Sequence, residues 1–201
     1  MRIKETPVKS EILDLFKQRW ATRAFDITKP VEHDKIISMC EAAHWVPTCF
    51  NEQPYKFIIF NKFTIEEAYN KAFDCLGEWN QNWAKSAPVL VAAIAKTKFR
   101  QNGKFNRWAE YDTGAATMAF YTQAISMGVM THAMGGFDVE KLKTTFGISD
   151  DFVPMSMIAV GYQSENINVI DEKYHDGETK PRERLDLGVN FYEGKWENGI
   201  I

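Results

Sequence analysis

Apolar positions along the chain repeat with two periods, and these predict interleaved helices and strands. Val8, Ile12, Leu15 and Phe16 fall on one helical face, after a Thr6-Pro7 pair that suits a helix start, which predicts a first helix ending near Arg19. Ile36, Cys40 and Ala43 line the inner face of a second helix, Glu32 to about His44, with Pro47 just beyond it. The short apolar run Lys56–Phe60 reads as a strand. Thr64 and Glu67 have capping-box spacing and predict a third helix through Leu76. Asn80–Ser86 is polar and is expected to begin as loop, and Pro88–Ala95 reads as a fully buried strand. A basic, aromatic segment, Lys96–Arg107, leads into a long helix over Trp108–Met127. Gly114, Ala115, Ala116 and Ala119 crowd that helix with small residues, which lets another helix approach, and Gly128 suits its C-terminal cap. Strands are expected at Val129–Ala133 and Met155–Val160, with a helix between them from an Asp138 cap to Gly147.

After Tyr162 the pattern turns polar. The tail has too little local apolar content for a core of its own, although Phe191, Tyr192 and Trp196 lie near its end. It is expected to lie on another surface or to be disordered.

Composition narrows the classes. With 201 residues, 45% hydrophobic and 25% charged, the chain suits one domain of ordinary globular make-up. A net charge of −3 gives no footprint for nucleic acid. The opening MRIKETPVKSEIL lacks the apolar run of a signal peptide. The most apolar stretch, about Ala115–Met134, is interrupted by Gln123, Ser126, Gly128 and His132, so it reads as a buried helix and strand rather than a membrane span. Three cysteines, Cys40, Cys49 and Cys75, are odd in number and lack CxxC spacing, which fits a reduced, cytoplasmic protein. His33, His44, His132 and His175 show no metal-ligand spacing. The GxGxxG fingerprint and the P-loop are both absent, so a bound phosphate would be held by side chains.

Four local constellations carry candidate chemistry. Arg19-Trp20-Ala21-Thr22-Arg23 puts two permanently charged guanidinium groups at the end of the first helix, where both can grip a phosphate. Pro47 and Pro54 frame a turn with Thr48, Cys49, Asn51 and Gln53, whose amides alternate donor and acceptor as the edge of a flat heterocycle does. Met134-Gly135-Gly136-Phe137-Asp138 allows backbone N–H groups to approach a ligand closely. Lys180-Pro181-Arg182-Glu183-Arg184 is basic and late in the chain. Taken singly, each has an ordinary reading: arginines at a helix end, a polar loop, a strand-to-helix turn, a solvated charge cluster.

In order and spacing, however, these motifs resemble the nitroreductase family along essentially the whole chain. Arg19–Arg23 is similar to an RxSxR opening, and Pro47–Phe57 closely resembles the family's PSxxNxQPWxF turn, the most specific element. Asn80–Val89 resembles the segment ending in APV, Gly136–Asp138 the Gly-Phe-Asp turn, Ile158–Tyr162 the strand ending in Gly-Tyr, and Arg182–Asp186 the basic tail.

The resemblance implies an α+β fold with a mainly antiparallel central sheet flanked by helices. It implies an intertwined homodimer, with residues 164–201 as a C-terminal extension wrapping the partner subunit. It further implies FMN at the subunit interface, reduction by NAD(P)H in a ping-pong cycle, and small-molecule acceptors such as nitroaromatics or quinones. The residues that carry over are Arg19, Arg23 and Arg184 for the phosphate and ribityl chain, with Arg182 nearby; Trp20 and Ala21, in the same segment, are counted with the cofactor-binding residues. Pro47, Thr48, Cys49 and Asn51 would pack beside the isoalloxazine from the partner. Gly135 and Gly136 would direct N–H groups toward the flavin N5, and Asn80, with Asn82 as competitor, would touch the ring or ribityl side. The chain departs from the pattern at Ala21 and Cys49, where serine is usual, and at Tyr55, where tryptophan is usual. Other flavin chemistry on the same scaffold, a flavin carrier without turnover, and a flavin-free interaction module are the alternatives.

Overall fold

The computed structural model describes residues 2–200. Its centre is a four-stranded sheet in the order β1-β2-β4-β3, formed by β1 (Tyr55–Asn61), β2 (Val89–Lys96), β3 (Met130–Met134) and β4 (Phe152–Gly161). Every pairing is antiparallel, so the expected α+β architecture is the one observed.

Side chains of a strand alternate between its two faces, and here both faces are apolar. Leu90, Ala92 and Ile94 of β2 join Met157 and Ala159 of β4 in one core, with Phe60, Trp83, Met130 and Leu142. Val89, Val91 and Ala93 join Ile158 and Val160 in the other, with Met39, Phe120 and Ala124. This explains why β2 reads as an unbroken apolar run. Helices cover both sides. α2 (His33–His44) and α5 (Ala109–Ser126) pack together over the second core, and α3 (Glu66–Phe73), α4 (Glu78–Ala84) and α6 (Val139–Phe146) supply residues to the first. Between β2 and β4 the register steps from Ala93↔Ser156 to Ile94↔Pro154, leaving Met155 as the extra residue of a bulge. Pro154 has no N–H to give the ladder, so the irregularity falls beside it.

The structure corrects three local expectations. The first helix, α1, spans only Asp14–Gln18, and Thr6-Pro7 does not start it. The preceding segment is instead tied to the tail: Glu5 accepts from the Arg182 amide at 3.1 Å, Lys4 donates to the Gly177 carbonyl at 2.8 Å, and Lys9 pairs with Asp186 at 2.8 Å. Long-range pairing has overridden helical periodicity, and Val8, Ile12 and Phe16 stay exposed. The capping box at Thr64 does not form. Ile65 holds the N-cap position, because Asn61 turns the chain by accepting the Phe63, Thr64 and Ile65 amides. The expected loop over Asn80–Ser86 is mostly helix, α4, whose inner face buries Trp83 and Ala84 completely.

The tail divides into two parts. Ile170 and Tyr174 are buried in the first core, and α7 (His175–Thr179) follows them. Beyond α8 (Leu187–Asn190), Phe191 and Trp196 stand exposed. No helix among the described residues is long and apolar enough to cross a membrane.

Candidate functional site

Arg19 caps the C-terminus of α1, and the chain then turns inward, burying Trp20, Thr22, Ala24 and Phe25. The Trp20 indole donates to the Arg2 carbonyl at 3.3 Å, while Ala21 points outward between two buried neighbours. The tail runs past this segment and delivers Arg182 and Arg184 to it. Burial lowers the pKa of Arg19, and Arg184 lowers it further. Arg182 is lowered in the same way by burial, then by Arg19 and Arg184. Three guanidinium groups thus repel one another, and no carboxylate is among the groups that perturb Arg19 or Arg182. Arg182 is already committed: it donates to the Lys17 carbonyl at 2.8 Å and to the Phe16 carbonyl at 3.2 Å. The Arg19 side chain has no hydrogen-bond partner among the described residues, and the Arg184 guanidinium donates only to the Glu183 carbonyl beside it, at 2.7 Å. Such a cluster is built for an anion.

Arg23 is held differently. Its guanidinium lies 5.8 Å from the Trp83 ring centre and 5.7 Å from that of Tyr174. A Cβ placed on Gly177 would meet its Nη1 at 3.0 Å, so this glycine leaves room for the arginine. Its Nε is buried without a partner.

His132 of β3 completes the cluster. Its ring stacks on Trp83 at 4.3 Å, and its Nδ1 lies 2.9 Å from the Thr22 carbonyl. Burial pushes its pKa down to about 4; the Thr22 carbonyl opposes that shift, and Arg23 and Arg19 add to it. The ring is neutral near pH 7, and Nδ1 carries the proton because a carbonyl can only accept.

β3 leads directly into Gly135 and Gly136, both exposed. The Gly136 carbonyl accepts from the Asn80 side chain at 2.9 Å and from the Gly77 amide at 2.9 Å. Asn80 is thereby joined to the glycine turn, and Asn82 is not. α4 carries both Asn80 and Trp83, so the glycine turn, Asn80, His132 and Arg23 are linked through one helix.

The proline-framed turn lies elsewhere in the subunit. No hydrogen bond among the described residues joins it to the arginine cluster or to the glycine turn. It is anchored on α5, where the buried carboxylate of Asp112 accepts the Cys49 amide at 3.0 Å. Thr48 accepts the Gln53 amide at 3.1 Å, and Asn51 accepts from the Gln53 side chain at 3.0 Å. Phe50, Asn51 and Gln53 have φ of 52°, 54° and 50°, left-handed values that are costly for residues with a Cβ. Pro47 and Phe50 face solvent. Among the expected site residues, Asn80 is bonded to Gly136 and Arg19, Arg182 and Arg184 perturb one another, whereas Pro47, Thr48, Cys49 and Asn51 belong to the turn anchored on α5.

Sequence reasoning missed Glu178, His132, Trp83, Tyr174 and Asp112. Glu178 sits in a polar tail with no periodicity, and His132 looks like any strand residue. The only hint for Trp83 was its size within a polar run.

An antiparallel sheet covered by helices on both faces defines an α+β protein, and its α1 end carries a cluster of arginines that repel one another. The Nitroreductase family model matches residues 16–162, and the chain belongs to that family. A protein of Mycolicibacterium smegmatis, an uncharacterized 15.4 kDa product, is 32% identical over 119 residues, covering 59% of this chain and 78% of its own. YodC of Bacillus subtilis (strain 168), provisionally named an NAD(P)H nitroreductase, is 22% identical over 182 residues, covering 74% of this chain and 88% of its own. Among solved structures, one described as an oxidoreductase containing FMN superposes with a TM-score of 0.87 at 28% identity, covering 94% of this chain and 95% of that one.

Proposed function

We propose that the protein is an FMN-dependent oxidoreductase that uses NAD(P)H to reduce small acceptors such as nitroaromatics or quinones, working as a homodimer in the cytoplasm. The observation that carries this reading is the Arg19–Arg182–Arg184 cluster, which lacks a counter-charge and stands in a chain related to a protein described as containing FMN. A phosphate monoester would supply the missing charge.

In this reading Arg19 and Arg184 hold the FMN phosphate, and Arg182 braces the end of α1 beneath them. Ala21 gives up the hydroxyl that serine would offer there. The Gly135 and Gly136 backbone lines the ring side, with Asn80 fixing the turn. Arg23, stacked between Trp83 and Tyr174, provides a fixed positive charge nearby. When bound, FMN supplies the relay of two electrons from nicotinamide to acceptor. The chain's residues orient the ring, hold the phosphate and place positive charge where negative charge builds up. Alternate use of the site by nicotinamide and acceptor would make the kinetics ping-pong.

The strained turn at Pro47–Pro54 completes the site from the partner subunit. Within one subunit it is separate from the arginine cluster, and α5 that anchors it has an exposed face. Trp108, Tyr111 and Met118 are 40%, 78% and 36% exposed, with Gly114 between them, at spacings that form one helical stripe. A second copy of that stripe is its natural cover, with the small residue allowing close approach. The free thiols of Cys40, Cys49 and Cys75 suit a reducing compartment.

The absorption spectrum of the purified protein tests the reading. A flavin band, FMN rather than FAD on release, and bleaching under anaerobic NADH or NADPH are expected. A colourless protein that takes up no FMN on reconstitution sinks it.

A further inference from the structure

The Glu178 side chain has no exposed surface, although it belongs to a short helix in the most polar part of the chain. A buried carboxylate needs partners, since desolvation penalises its charge. Glu178 has three. One oxygen accepts the Arg23 backbone amide at 2.6 Å. The other accepts the Thr22 hydroxyl at 2.7 Å and the Arg2 guanidinium at 3.1 Å. Two of these partners are consecutive residues of the arginine-bearing segment. Four residues later in the tail, Arg182 grips the carbonyls of Phe16 and Lys17 at the other end of the same segment. Arg19 lies between the two anchor points.

From this arrangement we infer that Glu178 is a positioning residue for the phosphate site: it locks the backbone at Thr22–Arg23 so that Arg19 presents its guanidinium to the anion alongside Arg184. This rests on the FMN reading above. Glu178 itself does not touch the phosphate. Its charge is matched by Arg2 and screened by two further donors, so its effect on the anion is through geometry. Ligand affinity depends on such preorganisation because a loose segment must be ordered at the moment of binding.

The test compares FMN with riboflavin, which has the same ring and ribityl chain but no phosphate. Dissociation constants are measured by quenching of flavin fluorescence on the full-length apoprotein, for the parent and for Glu178→Gln. Gln keeps the shape and at most part of the acceptor set. FMN binding is expected to weaken about tenfold or more, as for loss of a charge-assisted contact, while riboflavin changes little, so the preference for FMN shrinks. Equal weakening of both flavins would show a general structural brace and overturn the inference. Unchanged or tightened FMN binding would overturn it too, the latter by showing that the carboxylate merely repels the phosphate. If Glu178→Gln does not fold, Thr22→Val, which deletes one of the three bonds at nearly constant volume, is read in the same way with a smaller expected loss. A parent protein that does not distinguish FMN from riboflavin would sink the phosphate site and the proposed function together. A parent that prefers FMN, and whose variants keep that preference, would sink this inference alone.

Discussion

His132 stacks on Trp83 with ring centres 4.3 Å apart while its Nδ1 donates to the Thr22 carbonyl at 2.9 Å. The imidazole is thus fixed in one tautomer beneath the arginine-bearing segment, and two arginines help burial to keep it neutral.

That neutrality makes folding pH-dependent. The folded pKa is about 4, against an unfolded value of about 6.5. Above about pH 6.5 both states are neutral and the full stability is present. As pH falls from there toward about 4, the unfolded chain takes up a proton that the folded one refuses, so stability declines, by about 3 kcal/mol in all. Urea unfolding of the parent and of His132→Gln between these limits checks this. The variant should lose this part of the slope, and identical slopes would refute the assignment.

The Asn80–Gly136 contact makes a second prediction. A Cβ on Gly136 would lie 3.0 Å from the Asn80 side-chain nitrogen, so Gly136→Ala must push that amide aside. FMN binding should weaken several-fold. Asn80→Ala should also weaken it, but the double variant should lose less than the sum, because removing Asn80 relieves the clash. Strict additivity in flavin titrations would mean that the two positions act independently.

Much of this was legible in the chain. β2 announced itself by a short, β-branched apolar run whose length suits a strand buried on both faces, and Asp138 and Gly147 marked the ends of α6 through capping, which is local chemistry. The arginines, the glycine turn and Asn80 stand out as candidates because charge, backbone freedom and amide donors are properties of single residues. What could not be read were long-range bonds. Thr6-Pro7 reads as a helix start until the tail pairs with that segment. Glu178 reads as a solvated acid until Thr22, Arg23 and Arg2 surround it, from 155 to 176 positions away. Nothing in the sequence singles out Asp112, and only the fold shows it anchoring the Cys49 turn.

Two arginines of the cluster should behave differently. Arg19→Ala removes a charge with no partner among the described residues, so it should weaken FMN binding by roughly 1.5–3 kcal/mol while barely moving the thermal midpoint of the apoprotein. Arg182→Ala removes the guanidinium donor from the Phe16 carbonyl and leaves the Lys17 carbonyl only the Thr6 hydroxyl, so it should lower the apoprotein midpoint as well. Arg23→Ala should cost more FMN affinity than Thr22→Ala. Reversal of the Arg19 and Arg182 phenotypes would mean that their roles have been exchanged.

The α5 stripe is tested by Met118→Lys. On a monomer this half-open surface position would tolerate the change within about 0.5 kcal/mol. If the stripe is the dimer contact, a charge buried there is unpaired, and sedimentation should show a shift toward monomer with loss of bound flavin. A variant that remains a flavin-loaded dimer would place the interface elsewhere.

The end of the tail yields the last prediction. Up to Asp186 the tail is tied to its own subunit, through Tyr174, Glu178, Arg182 and the Lys9–Asp186 pair. Beyond Leu187 its contacts are local: a bridge between Tyr192 and Gly199, and an edge-to-face pairing of Tyr192 with Trp196 at 5.1 Å. Phe191 and Trp196 remain 57% and 78% exposed. Each large ring can bury about 150–250 Å². At about 25 cal/mol per Å², covering what remains open of Phe191 and Trp196 against a partner would contribute several kcal/mol, and the entropy of ordering the segment opposes it. Truncation after Leu187 leaves Glu178, Arg182 and Arg184 in the chain. It should still lower the thermal midpoint, weaken dimerisation and loosen FMN, because the Pro47–Pro54 turn of the partner would no longer be held over the site. The preference for FMN over riboflavin should survive, since the phosphate contacts are untouched. A truncated protein that sediments as a dimer with its flavin and midpoint intact would show that the last residues cover nothing.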